Sequence, residues 1–331
     1  MPQTGATPAT NWKENIKPDE EERFQRYADV IVSIQKDRSQ KYGNGRGLHR
    51  EQLLGLEASL EVKADLPEPA RQGIFASPKT YDCLVRLSNG SLDINSDGDP
   101  DIRGFAFKVL RVSGKSALGN GNASSQDFLL INHESFSSPG VDPFIALVQA
   151  AAKSKISALG YLIRTKGFFG ALGQLKTLSK KFTGFATEPF NTVVPHACGP
   201  YAVRVRLQPM ANAINPGAKK DWGKDIQDRL EKGPLVYEVQ LQFFISEDIT
   251  PIEDASVVWP ADKSPFVTVA TLTIPQQSFG DEKQQAREKR IEGTIFDPWN
   301  GLLEHRPLGE IMRARKFAYY ASQQTRSAKP E

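Results

Sequence analysis

Between Arg313 and Arg326 the chain reads RARKFAYYASQQTR. On a helix, Arg315 and Tyr319 lie four residues apart on one face, and Arg326 follows seven residues later on the same face. A guanidinium beside a phenol favours the phenolate, and a tyrosinate can ligate ferric iron. The plainer alternative, which spacing alone favours, is a tyrosine that packs its ring inward while the arginines stay in water. His49 lies in GNGRGLHREQ, a glycine-rich approach to a strand, where catalytic groups gather. A lone histidine is more often structural or exposed. His49, His133, His196 and His305 together show no metal-ligand spacing. Arg86 shares a strand face with Leu84 and Ser88. On the inner face of a barrel such an arginine is costly unless it meets an anion or a carboxylate; otherwise it faces solvent.

The elements that position these residues follow from the periodicity. Residues 1–17 read as a flexible arm. A helix starts at Pro18 and Asp19, where three glutamates suit the positive N-terminus, and Phe24, Tyr27, Ile31 and Ile34 recur at helical spacing. From about residue 56 the period changes to two: Leu56, Ala58, Leu60 and Val62 alternate with polar neighbours. YDCLVRLSNG, RGFAFKVLRV, DFLLIN, YAVRVRL, VYEVQLQFFI and FVTVATLTI read as further strands, many of them separated by turn-rich segments. This pattern favours an antiparallel barrel or sandwich over βαβ units. Residues 143–184 interrupt it with helical material carrying Lys153, Lys155, Arg164, Lys166, Lys176, Lys180 and Lys181. A solvated amphipathic helix pair is the plain reading; a membrane-surface or lipid-substrate role is the alternative. The segments around 283–291 and after Pro307 read as helices. The expectation is an α+β chain: residues 1–40 form an arm and helix, and residues 41–331 form one barrel domain with C-terminal helices.

Bulk composition narrows the classes. A net charge of +3 is too weak a bias to argue for nucleic acid. The longest apolar runs fall far short of a membrane span, and the N-terminus lacks the layout of a signal peptide. Cys83 and Cys198, the only cysteines, cannot staple a chain of this length, so a reducing cytoplasm is the expected location.

Five separate stretches, taken in order from about Lys41 to Arg326, resemble the haem catalase superfamily, and more closely its short catalase-related branch of small haem peroxidases and allene oxide synthases. RGLH resembles the R-x-x-H element; VRLSNG resembles V-R-F-S; DPDIRGFAFKV is similar to D-x-R-G-F-A-x-K. DFLLINHESFSSPGVDPF resembles D-L-x-x-N-N-x-P-x-F-F, and FDPWNGLLEHRPLG followed by RKFAY resembles the branch's terminal signature with the R-x-F-x-Y ligand motif. Three departures stand out. REQLLGL replaces the usual small-residue run after the histidine, and the chain is much shorter than ordinary catalases. Counting back from Phe136 also puts Ile131, not Asn132, where the family's asparagine belongs.

The resemblance implies a catalase-type barrel holding haem b between His49 and Tyr319, with Tyr319 as the iron ligand. It makes His49 the distal acid–base, oriented by Ser88, and Asn132 the group that holds the peroxide. Arg46, Arg86 and Arg326 would neutralise the haem propionates, Arg103 and Arg315 would serve the cofactor, and Phe136 and Phe144 would line or stack on it. Tyr320, about 100° around the helix from Tyr319, would be a packing residue. The implied activity reduces or disproportionates hydrogen peroxide or organic hydroperoxides through a high-valent iron–oxo state, with a small electron donor in the peroxidase case. The implied alternatives are a fatty-acid hydroperoxide lyase or isomerase and a haem-binding protein without turnover. Leu48 is apolar, like the valine common in catalases and unlike the threonine of coral-type allene oxide synthases, which sides with redox chemistry. A distal base argues against mere binding. Without a catalase-like wrapping arm, a homodimer is expected.

Overall fold

The structure is a computed structural model that describes residues 7–178, 181–210 and 213–330. Nine strands form one sheet: β1 (Gln52–Val62), β2 (Thr80–Asn89), β3 (Arg103–Leu110), β4 (Ser125–Ile131), β5 (Phe190–Asn191), β6 (His196–Cys198), β7 (Tyr201–Pro209), β8 (Leu235–Phe243) and β9 (Val267–Ile274). Their order is β5-β4-β3-β2-β1-β9-β8-β7-β6, and β5 also pairs with β7. Eight antiparallel strands therefore close on themselves and β6 is appended outside. The helices are α1 (Glu20–Tyr42), α2 (Val141–Lys153), α3 (Lys155–Leu178), α4 (Trp222–Leu230), α5 (Glu282–Gly293) and α6 (Glu310–Arg326).

The two-residue period decides what lies inside. Val85 and Leu87 of β2, Phe105, Phe107 and Val109 of β3, Phe128 and Leu130 of β4, and Val203, Val205 and Leu207 of β7 belong to one buried cluster that fills the barrel. The intervening residues of β2, Leu84, Arg86 and Ser88, point to the outer wall. There Leu84 packs with Ile291 of α5 and Phe296. The interior is thus occupied by side chains, and Arg86 and Ser88 sit on the outer wall beneath helices.

Two helices brace that wall. Phe24 of α1 meets Phe317 of α6 edge-on at 6.0 Å. Arg23 of α1 donates to Glu310 of α6 at 2.6 Å. Residues 7–17 are not a loose arm. Trp12 donates to the Pro200 carbonyl at 2.9 Å, and Glu14 accepts from Arg306 at 2.8 Å and from Arg313 at 2.9 Å. An indole and a carboxylate inside the stretch supply the partners that fasten it.

Elsewhere on the wall, Lys108 and Asp127 face each other in register between β3 and β4, 2.6 Å apart and buried. Asp127 also accepts from the backbone of Asp297 at 2.9 Å and from Asn300 at 3.2 Å. Breaking a buried pair by removing one partner strands the other charge. Lys108→Ala is therefore expected to lower unfolding free energy by about 3–5 kcal/mol. A urea titration checks this, with the midpoint falling and the slope unchanged.

Candidate functional site

His49 is placed by its own backbone as much as by its side chain. Its φ of +49° lies in the left-handed region, which non-glycine residues seldom adopt. Its N–H donates to the Gly90 carbonyl at 3.2 Å, and its carbonyl accepts from Arg86 at 3.0 Å. Arg50 fastens the approach loop, donating to the carbonyls of Arg46 (2.9 Å) and Gly43. The imidazole Nδ1 lies 3.1 Å from Ser88 Oγ. Gly104, paired with Ser88 across β2 and β3, is what admits the ring. A Cβ there would stand 2.5 Å from His49 Nδ1 and 2.6 Å from Ser88 Oγ. Burial, with Arg86, Arg315 and Arg46 nearby, pushes His49 down to about 3, so the imidazole is neutral at neutral pH.

Arg46, Arg86 and Arg326 converge on one residue of the chain itself, the first two on the Glu292 carboxylate and the third on its backbone carbonyl. Glu292, at the end of α5, accepts from Arg46 with one oxygen and from Arg86 at 2.9 Å with the other. Arg326 donates to the Glu292 carbonyl at 3.2 Å and, with Arg46, to the Thr294 carbonyl at 3.1 and 3.0 Å. Burial and the neighbouring guanidinium groups hold Arg46 well below its ordinary value. Burial pulls Arg326 to about 10. Arg86 is thus neither facing solvent nor on the barrel's inner face; it is buried on the outer wall against an anion. Two cavities, of about 480 and 220 Å³, open beside this cluster, and both are lined by Glu292, Asn44, Gly45 and Lys289.

On α6, Arg315 donates to the Tyr319 hydroxyl at 2.8 Å. Tyr319 is half-buried, whereas Tyr320 is 65% exposed, so Tyr320 stands in water and is not the packing residue expected. Gln35, fully buried on α1, donates to the Gly45 carbonyl at 2.8 Å and to the Ser322 carbonyl at 3.2 Å. One side chain therefore ties the His49 loop to the helix of Tyr319.

Four other residues fall differently. Asn132 is corrected: the register pairs Ile131 with Gly104, on the face of Ser88, and Asn132 lies one step beyond. Its side-chain oxygen is taken by the Arg103 backbone N–H at 2.8 Å. Arg103 is corrected too. Its guanidinium bonds Asn89 and the carbonyls of Asp97 and Asp99 (2.8 and 3.0 Å), anchoring the loop after β2 away from the other arginines. Phe136 and Phe144 pack on each other, centroids 4.8 Å apart, in the cluster that includes Ile311, Met312 and Phe317 of α6.

Sequence reading missed Glu292, Gln35 and His196. His196 is buried in β6 with Arg315 and His305 nearby, and burial pushes it down to about 3. Among the described residues, no group of three or more His, Cys, Asp or Glu side chains is placed to hold a metal ion.

Helices packed around a closed antiparallel barrel, with this cluster on the barrel's outer wall, make the catalase-type architecture. The chain is similar in structure to a fungal catalase, with a TM-score of 0.67 and 18% identity over 85% of this chain and 59% of that one. It is also similar to catalase A from Saccharomyces cerevisiae, with a TM-score of 0.67 and 16% identity over 85% and 61%. A bacterial catalase gives 0.66 and 15% over 99% and 64%. The chain thus spans about three-fifths of those proteins' lengths, and the likeness is one of fold. No family model and no curated protein matches the sequence.

The histidines set an acid limit on stability. His49 and His196 are pushed to about 3 and His305 to about 4, each from 6.5. As pH falls below 6.5 the unfolded chain takes up these protons before the folded chain does. Stability is full above that value and is lost toward pH 4, on the order of a few kcal/mol. Asp297, pushed up to about 6 by burial, offsets part of the loss. Urea denaturation across this window should show unfolding free energy falling monotonically with acidification.

Proposed function

We propose that the chain is a haem-dependent oxidoreductase that reduces or disproportionates hydrogen peroxide or organic hydroperoxides. One observation carries this reading. The wall gathers a neutral histidine held against a serine, a tyrosine hydroxyl held by an arginine, and three arginines around Glu292, two of them on its carboxylate and the third on its backbone carbonyl. These residues fit haem by their donor chemistry. Tyr319 offers the iron an oxygen, and Arg46, Arg86 and Arg326 suit propionates as they suit Glu292. When bound, haem supplies the electron transfer that cleaves the O–O bond.

The chain's own residues move the proton. With Ser88 Oγ accepting from Nδ1–H, the His49 Nε2 lone pair takes the proton from the peroxide oxygen and returns it to the leaving oxygen. Enclosure keeps His49 unprotonated at neutral pH, with its Nε2 lone pair free of a proton. Arg315 fixes where the Tyr319 oxygen points. No distal amide is assigned, because Asn132 lies one step beyond Ile131, the residue that pairs with Gly104 beside His49. Glu292, whose side chain is 35% exposed, is the group that yields its guanidinium partners to an incoming carboxylate.

A lyase or isomerase acting on fatty-acid hydroperoxides is the second reading, favoured by the exposed apolar and basic surface of α3. Product analysis with hydrogen peroxide, cumene hydroperoxide and a fatty-acid hydroperoxide separates the two. Oxygen, or alcohol with an oxidised donor, supports the proposal; epoxides, aldehydes or ketols formed without a donor support the second reading.

Tyr319→Phe is expected to lose most haem on purification and to shift the Soret band, while Tyr320→Phe keeps both. A Tyr319→Phe protein with wild-type haem content and spectrum would falsify the ligand assignment. Glu292→Gln is expected to shed haem more slowly to an excess of a haem-scavenging globin, and to be less stable when haem-free. Faster loss from this variant would mean that Glu292 supports the bound group rather than competing with it.

A further inference from the structure

Helix α3 leaves its apolar side chains in water. Ile156, Phe168, Phe169 and Leu172 are 83, 63, 85 and 56% exposed, and Leu159 and Ile163 are also exposed. Ile156, Leu159 and Ile163 are spaced three and four residues apart and form one stripe. At Gly167, with φ +69°, the helix kinks, and Phe168, Phe169 and Leu172 carry the apolar surface onward. The helix is moored from beneath. Leu162 and Ala171 are buried, Tyr161 donates to the Pro143 carbonyl at 3.2 Å, and Gln174 donates to the Ser137 carbonyl at 3.4 Å. The outward face is therefore held outward.

The charge around it has one sign. From residue 143 to residue 187 the sequence contains no Asp or Glu. Lys153, Lys155, Arg164, Lys166, Lys176 and Lys181 are exposed along the same segment; Lys180 lies outside the described residues. No described helix is long and apolar enough to cross a membrane, so the surface is suited to lie on a bilayer rather than to span it.

We infer that α3 is a docking surface for an anionic lipid bilayer. Phe168, Phe169 and the apolar stripe enter the boundary between headgroups and acyl chains, and the flanking lysines and Arg164 meet lipid phosphates. Charge complementarity selects this occupant over a second copy of the chain. A two-fold contact through α3 would press two acid-free cationic segments together with nothing to neutralise them. The inference is independent of the haem reading.

Sedimentation of the full chain with vesicles tests it, using phosphatidylcholine alone or in equal parts with phosphatidylglycerol. The chain should pellet with the mixed vesicles, far less with the neutral ones, and less as salt rises. The double variant Phe168→Ser/Phe169→Ser should bind the mixed vesicles roughly 100-fold more weakly. Lys155→Gln/Lys166→Gln should bind them roughly 30-fold more weakly. All four positions are exposed, so both variants should keep the wild-type circular dichroism and urea midpoint. Three results would overturn the inference: equal partition to neutral and mixed vesicles; undiminished binding by the serine variant; or no vesicle binding together with a dimer, seen by light scattering, that the serine variant dissolves.

Discussion

Three guanidinium groups within reach of one carboxylate set the terms for the rest of the wall. Arg46 comes from the loop before β1, Arg86 from β2, Arg326 from the end of α6, and Glu292 from the end of α5. Buried charges of like sign repel and lose hydration, so they persist only where an opposite charge and backbone carbonyls satisfy them. Glu292 and the carbonyls of Thr294 and His49 do that here. The same positive field reaches His49 and helps to keep its ring uncharged. The balance of buried charge and the uncharged state of His49 thus share one electrostatic origin.

Rigidity comes from a second source. Gln35 spans the His49 loop and α6 with one amide group, and α1 is locked to α6 by Phe24–Phe317 and Arg23–Glu310. The left-handed backbone of His49 costs free energy. Its N–H bond to Gly90, the Arg86 bond to its carbonyl and the Arg50 bonds to the approach loop hold the strained geometry in place. Gly104 completes the arrangement by lacking a side chain where the imidazole lies.

The strands were legible in the sequence because a half-buried strand writes itself as alternation, and Val85, Leu87, Phe105 and Phe107 do so plainly. The pairing of Arg315 with Tyr319 was legible because helical spacing is local. Which face of β2 looked inward was not, since alternation marks two faces without naming them. Asn132 misled for a related reason. A motif match within one residue ignores that a one-residue step in a strand moves a side chain to the opposite face. Glu292 and Gln35 escaped notice because the partners of their side chains lie 206 or more and 287 positions away, respectively, except for the contact of Gln35 with Gly45. A flexible arm at residues 1–17, of which 1–6 lie outside the described residues, was read from composition, which does not register that Trp12 and Glu14 have distant partners.

A barrel whose interior is filled by its own side chains does not need a cofactor to hold its strands together. Residues that face outward under the helices can therefore change without emptying the core. This separates two kinds of evolutionary tolerance. Interior positions are restrained by packing volume alone, while wall positions are free to drift in chemistry so long as their charges stay balanced. Lineages built on such a plan can keep one architecture at very low sequence identity.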